Sequence, residues 1–158
     1  MSQKSLANWL KTMIVGVGIC GLVICIFVLP VLVTWEELII ENDKLRSAWL
    51  VLLWLTSLPC FAALVYAWKI VTNIGNDRSF TADNAKMLKN ISVMAFADVI
   101  FLFTWNIVLL VLKSNPPAAF VSCMFVDFAG VVIAVVFAAL AHLVKKAVDL
   151  QEQSDLTI

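Results

Sequence analysis

The chain has 158 residues, of which 63% are hydrophobic and only 14% charged, and its mean hydropathy is +0.99. Soluble domains average about 45–50% apolar and about 25% charged, so a water-soluble domain is excluded. Eleven Lys and Arg balance eleven Asp and Glu, which leaves no basic excess for direct nucleic-acid binding, and the small charged fraction excludes a disordered or coiled-coil chain.

A helix needs about 20 apolar residues to cross the roughly 30 Å hydrocarbon core of a bilayer. Four stretches reach that length: 13–35, 48–71, 91–112 and 118–144. The first has no small-x-small cleavage site before its acidic flank and is read as part of the mature protein. Gly16, Gly18, Gly21, Cys20 and Cys25 make one of its sides small, which suits close approach of another helix, within the chain or in a homo-oligomer. Pro30 is expected to kink it. The segment that follows, 36–47, carries Glu36, Glu37, Glu41 and Asp43, an acidic loop able to attract cationic peptides or metal ions. In the second stretch Pro59 beside Cys60 predicts another kink.

In the segment 72–90, Gly75 and Asn76 predict a turn, Thr81 a helix N-cap, and Asp83 sits in the first helical turn. Met87, Leu88 and Ile91 share one face while Asp83, Lys86 and Asn90 share another, so the third helix starts in the interface before it enters the bilayer. After the third span comes a tight Ser-Asn-Pro-Pro turn. Beyond the fourth, Leu140, Leu143, Ala147 and Leu150 continue the helical spacing past Lys145 and Lys146, and the tail ends Q-E-Q-S-D-L-T-I. Leu156 and Ile158 beside a terminal carboxylate suit capture by a groove.

Lys and Arg number eight across the N-terminus, the middle loop and the C-terminus, against three in the other two connections. The positive-inside rule then places both termini in the cytoplasm, and the short connections predict antiparallel neighbours. Trp35 and Trp49 are expected at the outer interface, with Trp9, Tyr66 and Trp68 at the inner one.

Asp98 and Asp127 are the acidic residues inside the spans, where a carboxylate needs a partner, water or a proton. Counted from the inner ends of their spans at 1.5 Å per residue, Asp98 lies at about 10 Å, Asn106 at about 22 Å and Asp127 at about 25 Å. That count predicts an Asp127–Asn106 hydrogen bond with Thr104 or Ser122 nearby, places Asp98 at the level of Tyr66 and within reach of Lys69, and keeps the two aspartates apart. Cys20, Cys25, Cys60 and Cys123 all fall in spans without a C-x-x-C spacing, and His142 stands alone, so neither a disulfide framework nor a metal site is expected. No phosphate-binding glycine loop, nucleophile elbow or H-E-x-x-H motif occurs, so neither an enzyme nor a cofactor is expected.

Two segments, I-G-N-D-R-S-F-T-A-D-N-A-K-M-L-K-N-I at 74–91 and L-Q-E-Q-S-D-L-T-I at 150–158, closely resemble the signature segments of a small four-span bacterial membrane family, domain of unknown function 2975. Phe80, Asn84, Ala85 and Leu88 fall on the first motif, and Leu150, Glu152, Asp155, Leu156, Thr157 and Ile158 on the second. Where a Gly-x-Pro often precedes the Phe, this chain has Asp77, Arg78 and Ser79. The resemblance implies residence in the bacterial cytoplasmic membrane. Members are often encoded beside a small helix-turn-helix regulator, which implies a membrane-bound regulatory role.

The expectation is therefore an all-α integral membrane protein: one domain forming an antiparallel four-helix bundle, both termini inside, with the third and fourth helices extended into the cytoplasm. Phe80, Asn84, Leu88, Leu150, Leu156 and Ile158 are the candidate contacts for a helix-turn-helix regulator. Asp98, Asn106 and Asp127 form the polar set within the membrane, the basis of a different reading as a small proton- or cation-coupled transporter. A structural subunit of a membrane complex is the third possibility.

Overall fold

A computed structural model describes residues 3–35, 43–113, 115 and 117–155. The described residues form α1 (Gln3–Val23), a π turn (Ile24–Val28), α2 (Leu29–Trp35), α3 (Asp43–Gly75), α4 (Ala82–Val111) and α5 (Pro117–Asp155), with no strand among them. Four helical stretches are long and apolar enough to cross a membrane: Gln3–Val33, Arg46–Gly75, Ala82–Val111 and Pro117–Ser154. The acidic residues Glu36, Glu37 and Glu41 and the tail residues Leu156, Thr157 and Ile158 lie outside the described residues.

Helices pack in chain order. Cα atoms within 8 Å join α1 to α3, α3 to α4 and, most extensively, α4 to α5, whereas none joins α1 to α4 or α5, or α3 to α5. Among the described residues the packing is thus an open row, and the expected four-helix bundle is not closed. Lipid tails are as apolar as leucine, so no hydrophobic force drives the first helix round to meet the last. The most apolar window of the first span has none of its residues buried.

Specific contacts set the pairing. A methyl group on Gly18 would meet Leu64, one on Gly21 would meet Phe61, and one on Gly75 would lie 3.0 Å from Ala7 Cβ. Gly18 and Gly21 therefore serve packing inside the chain, while nothing stands within 4 Å of Gly16. Between α4 and α5, Ser92 Oγ donates to the Ala134 carbonyl at 2.7 Å, and Asn106 Nδ2 donates to that of Phe120 at 3.4 Å. Gly130 lets Val99 press so close that a Cβ there would stand 2.5 Å from Val99 Cγ2. A core of Trp49, Leu52, Leu102, Leu109 and Cys123 ties α3, α4 and α5 together at one end. Trp49, expected at the outer interface, is buried in this core with Trp105 packed against it, the two large indoles filling the gap between neighbouring helices.

Pro30 has a resolved consequence. Leu29 donates its N–H five residues back to Ile24, the π pattern. The next donor in that register would be Pro30, which has no N–H, so the Cys25 carbonyl is left without a helical partner. Trp54 of α3 supplies one: its Nε1 donates to Cys25 O at 3.0 Å. Pro59 leaves α3 continuous. Thr56 Oγ1 and Ser57 Oγ bond back to the carbonyls of Leu53 and Trp54 at 3.0 and 2.6 Å in the turn before it, a habit of hydroxyl side chains that bends helices.

Candidate functional site

The α3–α4 connection is built by its own side chains. Helix α3 ends in a Schellman motif: Asp77 N–H bonds Ile74 O at 3.1 Å and Arg78 N–H bonds Asn73 O at 2.9 Å, with Asp77 at φ 59° in the left-handed position usually held by Gly or Asn. The turn expected at Gly75–Asn76 is thus centred one residue later. Thr81 caps α4 as predicted, accepting from the Asn84 N–H at 3.2 Å. Asn84 then uses both amide protons inward, Nδ2 donating to the carbonyls of Arg78 and Ser79 at 2.9 Å each, while its Oδ1 accepts from Asn73 Nδ2 at 2.7 Å.

Among the residues expected to meet a partner, this geometry separates two groups. Asn84 is 1% exposed and Leu88 is buried; both are spent inside the fold, which the amphipathic pattern alone did not reveal. Phe80 and Leu150 are well exposed, at 60% and 57%. Asn73, the residue that completes the Asn84 network, was not singled out by the sequence reading.

Within the spans the polar residues are arranged differently from the prediction. Asn106, 1% exposed, accepts from Asn115 Nδ2 and also donates to Phe120 O; Asn115 Nδ2 reaches the Asn106 carbonyl as well, at 3.2 Å. It fastens the turn between α4 and α5 and does not bond Asp127. Thr104 bonds its own helix at Ile100 O, and the Lys69 ammonium lies 6.0 Å over the Tyr66 ring.

Asp127 is 5% exposed, and neither of its carboxyl oxygens has a hydrogen-bond partner among the described residues. The pairings Ser92–Ala134, Val99–Gly130 and Asn106–Phe120 fix the register of α4 against α5. That register puts Asp98 at the level of Asp127. Cys60, after the Pro59 step of α3, lies within range of Asp98. The expected separation of the aspartates is therefore corrected. It came from counting upward from unequal ends, whereas the contacts between α4 and α5 set their alignment directly.

Where α4 begins, α5 faces it across a groove of about 530 Å³. Ala82, Ala85, Ala138 and Ala141 form its small floor, and Lys86, Lys89, His142 and Lys145 line its sides. Among the described residues, no three His, Cys, Asp or Glu side chains gather in a way that could hold a metal ion, and the four cysteines are free.

Residues 31–158 match the family described as protein of unknown function, DUF2975. The chain belongs to that family. It is also similar, at 29% identity over 153 residues that cover 95% of this chain and 96% of the relative, to the uncharacterized membrane protein YoaS of Bacillus subtilis (strain 168). No solved structure matches. The part that matches the DUF2975 family contains the Asn84 loop, the α4–α5 pair, both aspartates and the lysine-lined groove, and leaves α1 outside.

Proposed function

We propose that this multi-pass membrane protein is a regulatory interaction protein of the bacterial cytoplasmic membrane, which holds a soluble partner, a small helix-turn-helix transcriptional regulator, at the membrane surface. The observation that carries the reading is the length of α5. Its 39 residues extend about 58 Å at 1.5 Å per residue, nearly twice the roughly 30 Å hydrocarbon core. Helix α5 continues past the start of α4; Leu150 is exposed on that projecting end, and Phe80 on the loop just before α4. Apolar side chains held outside the bilayer on a rigid helix and a rigid loop are what a protein partner buries. Both termini face the cytoplasm in this reading. Antiparallel spans are supported by the pairings above, in which residue numbers rise along one helix as they fall along the next.

The test is affinity purification of the full-length protein from its native membrane, followed by mass spectrometry of co-purifying proteins. The comparison set is wild type, Phe80→Ala with Leu150→Ser, and a chain ending at Gln151. A helix-turn-helix protein recovered with wild type and lost from both variants supports the reading. Equal recovery with all three, or none with any, overturns it.

A second reading has its own observation: the shared level of Asp98 and Asp127 and the unpartnered carboxyl of Asp127. Intramembrane carboxyl groups in such a position can form part of a proton or cation path. If proteoliposomes holding folded Asp98→Asn and Asp127→Asn proteins pass ions at the wild-type rate, the path is refuted.

A further inference from the structure

We propose that the groove between α4 and α5 binds an anionic glycerophospholipid, with its phosphate held by Lys86, Lys89 and Lys145 and an acyl chain lying in the furrow that continues from the groove along the two helices. Neither reading above is needed for this; the chain need only sit in a membrane.

The argument starts from side-chain size. The two helices approach through alanines at Ala82, Ala85, Ala138 and Ala141, so a trough opens where larger residues would interlock. Its walls carry Lys86 and Lys89 from α4 and Lys145 from α5, with His142 adding a ring N–H. Among the described residues none of the three lysines forms an ion pair, so their charge is open to an anion. Acidic Asp149 and Glu152 also line the groove, about 6 and 10 Å beyond Lys145 along α5. The groove is thus positive in its half nearer the spans and negative at its outer tip. A single phosphate beside the membrane edge fits that division, while a long polyanion entering from water meets the acids first.

Helical spacing carries the trough onward. On α4 the series Ala82, Lys86, Lys89 continues at steps of three and four to Val93, Phe96 and Ile100, all well exposed. On α5 the series Lys145, His142, Ala138 continues to Val135 and Val131, which are exposed as well. A basic mouth therefore leads directly into an apolar furrow, in the order of headgroup and tail in a phospholipid. Basic pockets between transmembrane helices take anionic lipid headgroups for this reason. A free phosphate or phosphorylated metabolite would use the mouth and leave the furrow empty.

The experiment is native mass spectrometry of the full chain in detergent, titrated with phosphatidylglycerol, phosphatidylcholine or inorganic phosphate. Wild type should retain phosphatidylglycerol in preference to phosphatidylcholine. Lys86→Gln, Lys89→Gln and Lys145→Gln together should weaken that retention on the order of 100-fold, from about 1 kcal/mol for each lysine near an anionic headgroup. A charge-matched control, Lys4→Gln, Lys11→Gln and Lys69→Gln, should retain it as wild type does. Ala138→Trp, which fills the trough without changing charge, should also lose the lipid, and circular dichroism shows whether each variant keeps its helices. Equal retention by the groove and control triples, or undiminished retention by folded Ala138→Trp, would overturn the proposal. So would displacement of the lipid by inorganic phosphate at equal concentration, which would assign the lysines to a free anion.

Discussion

Gly130→Ala is the sharpest perturbation of the α4–α5 pair. The new Cβ would stand 2.5 Å from Val99 Cγ2, whereas carbon atoms pack best at about 3.5–4.0 Å, so the helices must part by about 1 Å. Val99 cannot swing aside, because a β-branched side chain in a helix has one strongly preferred rotamer. Forced overpacking of this kind costs about 1–3 kcal/mol. Alanine returns about 1 kcal/mol through its higher helix propensity, which leaves a net loss of up to about 2 kcal/mol. Gly16→Ala is the matched control: nothing lies within 4 Å of that site, so only the propensity gain remains. Thermal unfolding in one detergent, followed by helical circular dichroism, should rank Gly16→Ala above wild type and Gly130→Ala below it. Adding Val99→Ala to Gly130→Ala should recover part of the loss, giving a coupling energy of about 1 kcal/mol or more in a double-mutant cycle. If Gly130→Ala is as stable as Gly16→Ala, α4 and α5 are not in this register, and the shared level of the aspartates falls with it.

Trp54→Phe removes the donor to the Cys25 carbonyl and should cost about 1 kcal/mol; in a Pro30→Ala background, where a backbone N–H is restored, the same change should cost little, read by unfolding midpoints in detergent. Asn84→Ala leaves the carbonyls of Arg78 and Ser79 and the amide of Asn73 without their partner and should cost about 2–4 kcal/mol; Asn84→Asp should fare no better, since a carboxylate cannot donate. Asp127→Val replaces a buried carboxyl that has no hydrogen bond and should raise the unfolding midpoint, by about 1–3 kcal/mol in stability, and a lowered midpoint would show that the carboxyl has a partner in the membrane. Hydrogen exchange should find α1 the least protected span, since among the described long helices it packs on α3 alone and the most apolar window of its span has no buried residue; equal protection of α1 and α4 would mean that α1 is covered by something else.

The apolar stretches were legible because their length meets a single physical requirement, and the Thr81 cap was legible because a hydroxyl three residues ahead of an N–H has few other uses. Less could be seen of what depends on register. The sequence count placed Asp127 beside Asn106, since both lie far from the presumed inner ends, but the α4–α5 contacts set another alignment and Asn115 claims Asn106. Gly130 was passed over for Gly16, Gly18 and Gly21, though a lone glycine amid valines can mark a closer approach than a visible stripe of small residues. Asn84 stood among the partner contacts because it falls on the family motif; only the folded loop shows three backbone and side-chain groups converging on it. The groove had a trace in the sequence, alanines and lysines at steps of three and four on two helices, but the two series acquire meaning only once their helices are known to face each other.

The open row has a consequence for how the polar groups can be linked. Between α4 and α5 the helices are fastened along their length, by Ser92 to Ala134, by Val99 on Gly130 and by Asn106 with its partners. On the other side, α3 meets α4 in the Trp49 and Leu52 core at one end and through the Asn73–Asn84 bond at the other. Pro59 and Cys60 fall between those two places, opposite Asp98. The proline step of α3 is thus the part that faces Asp98, while the end nearest the exposed Phe80 is held by the Asn84 network. Because Phe61, next to Cys60, also meets Gly21 of α1, a disturbance at that step reaches α1 as well, and the row passes it on in chain order where a closed bundle would carry it to every helix at once.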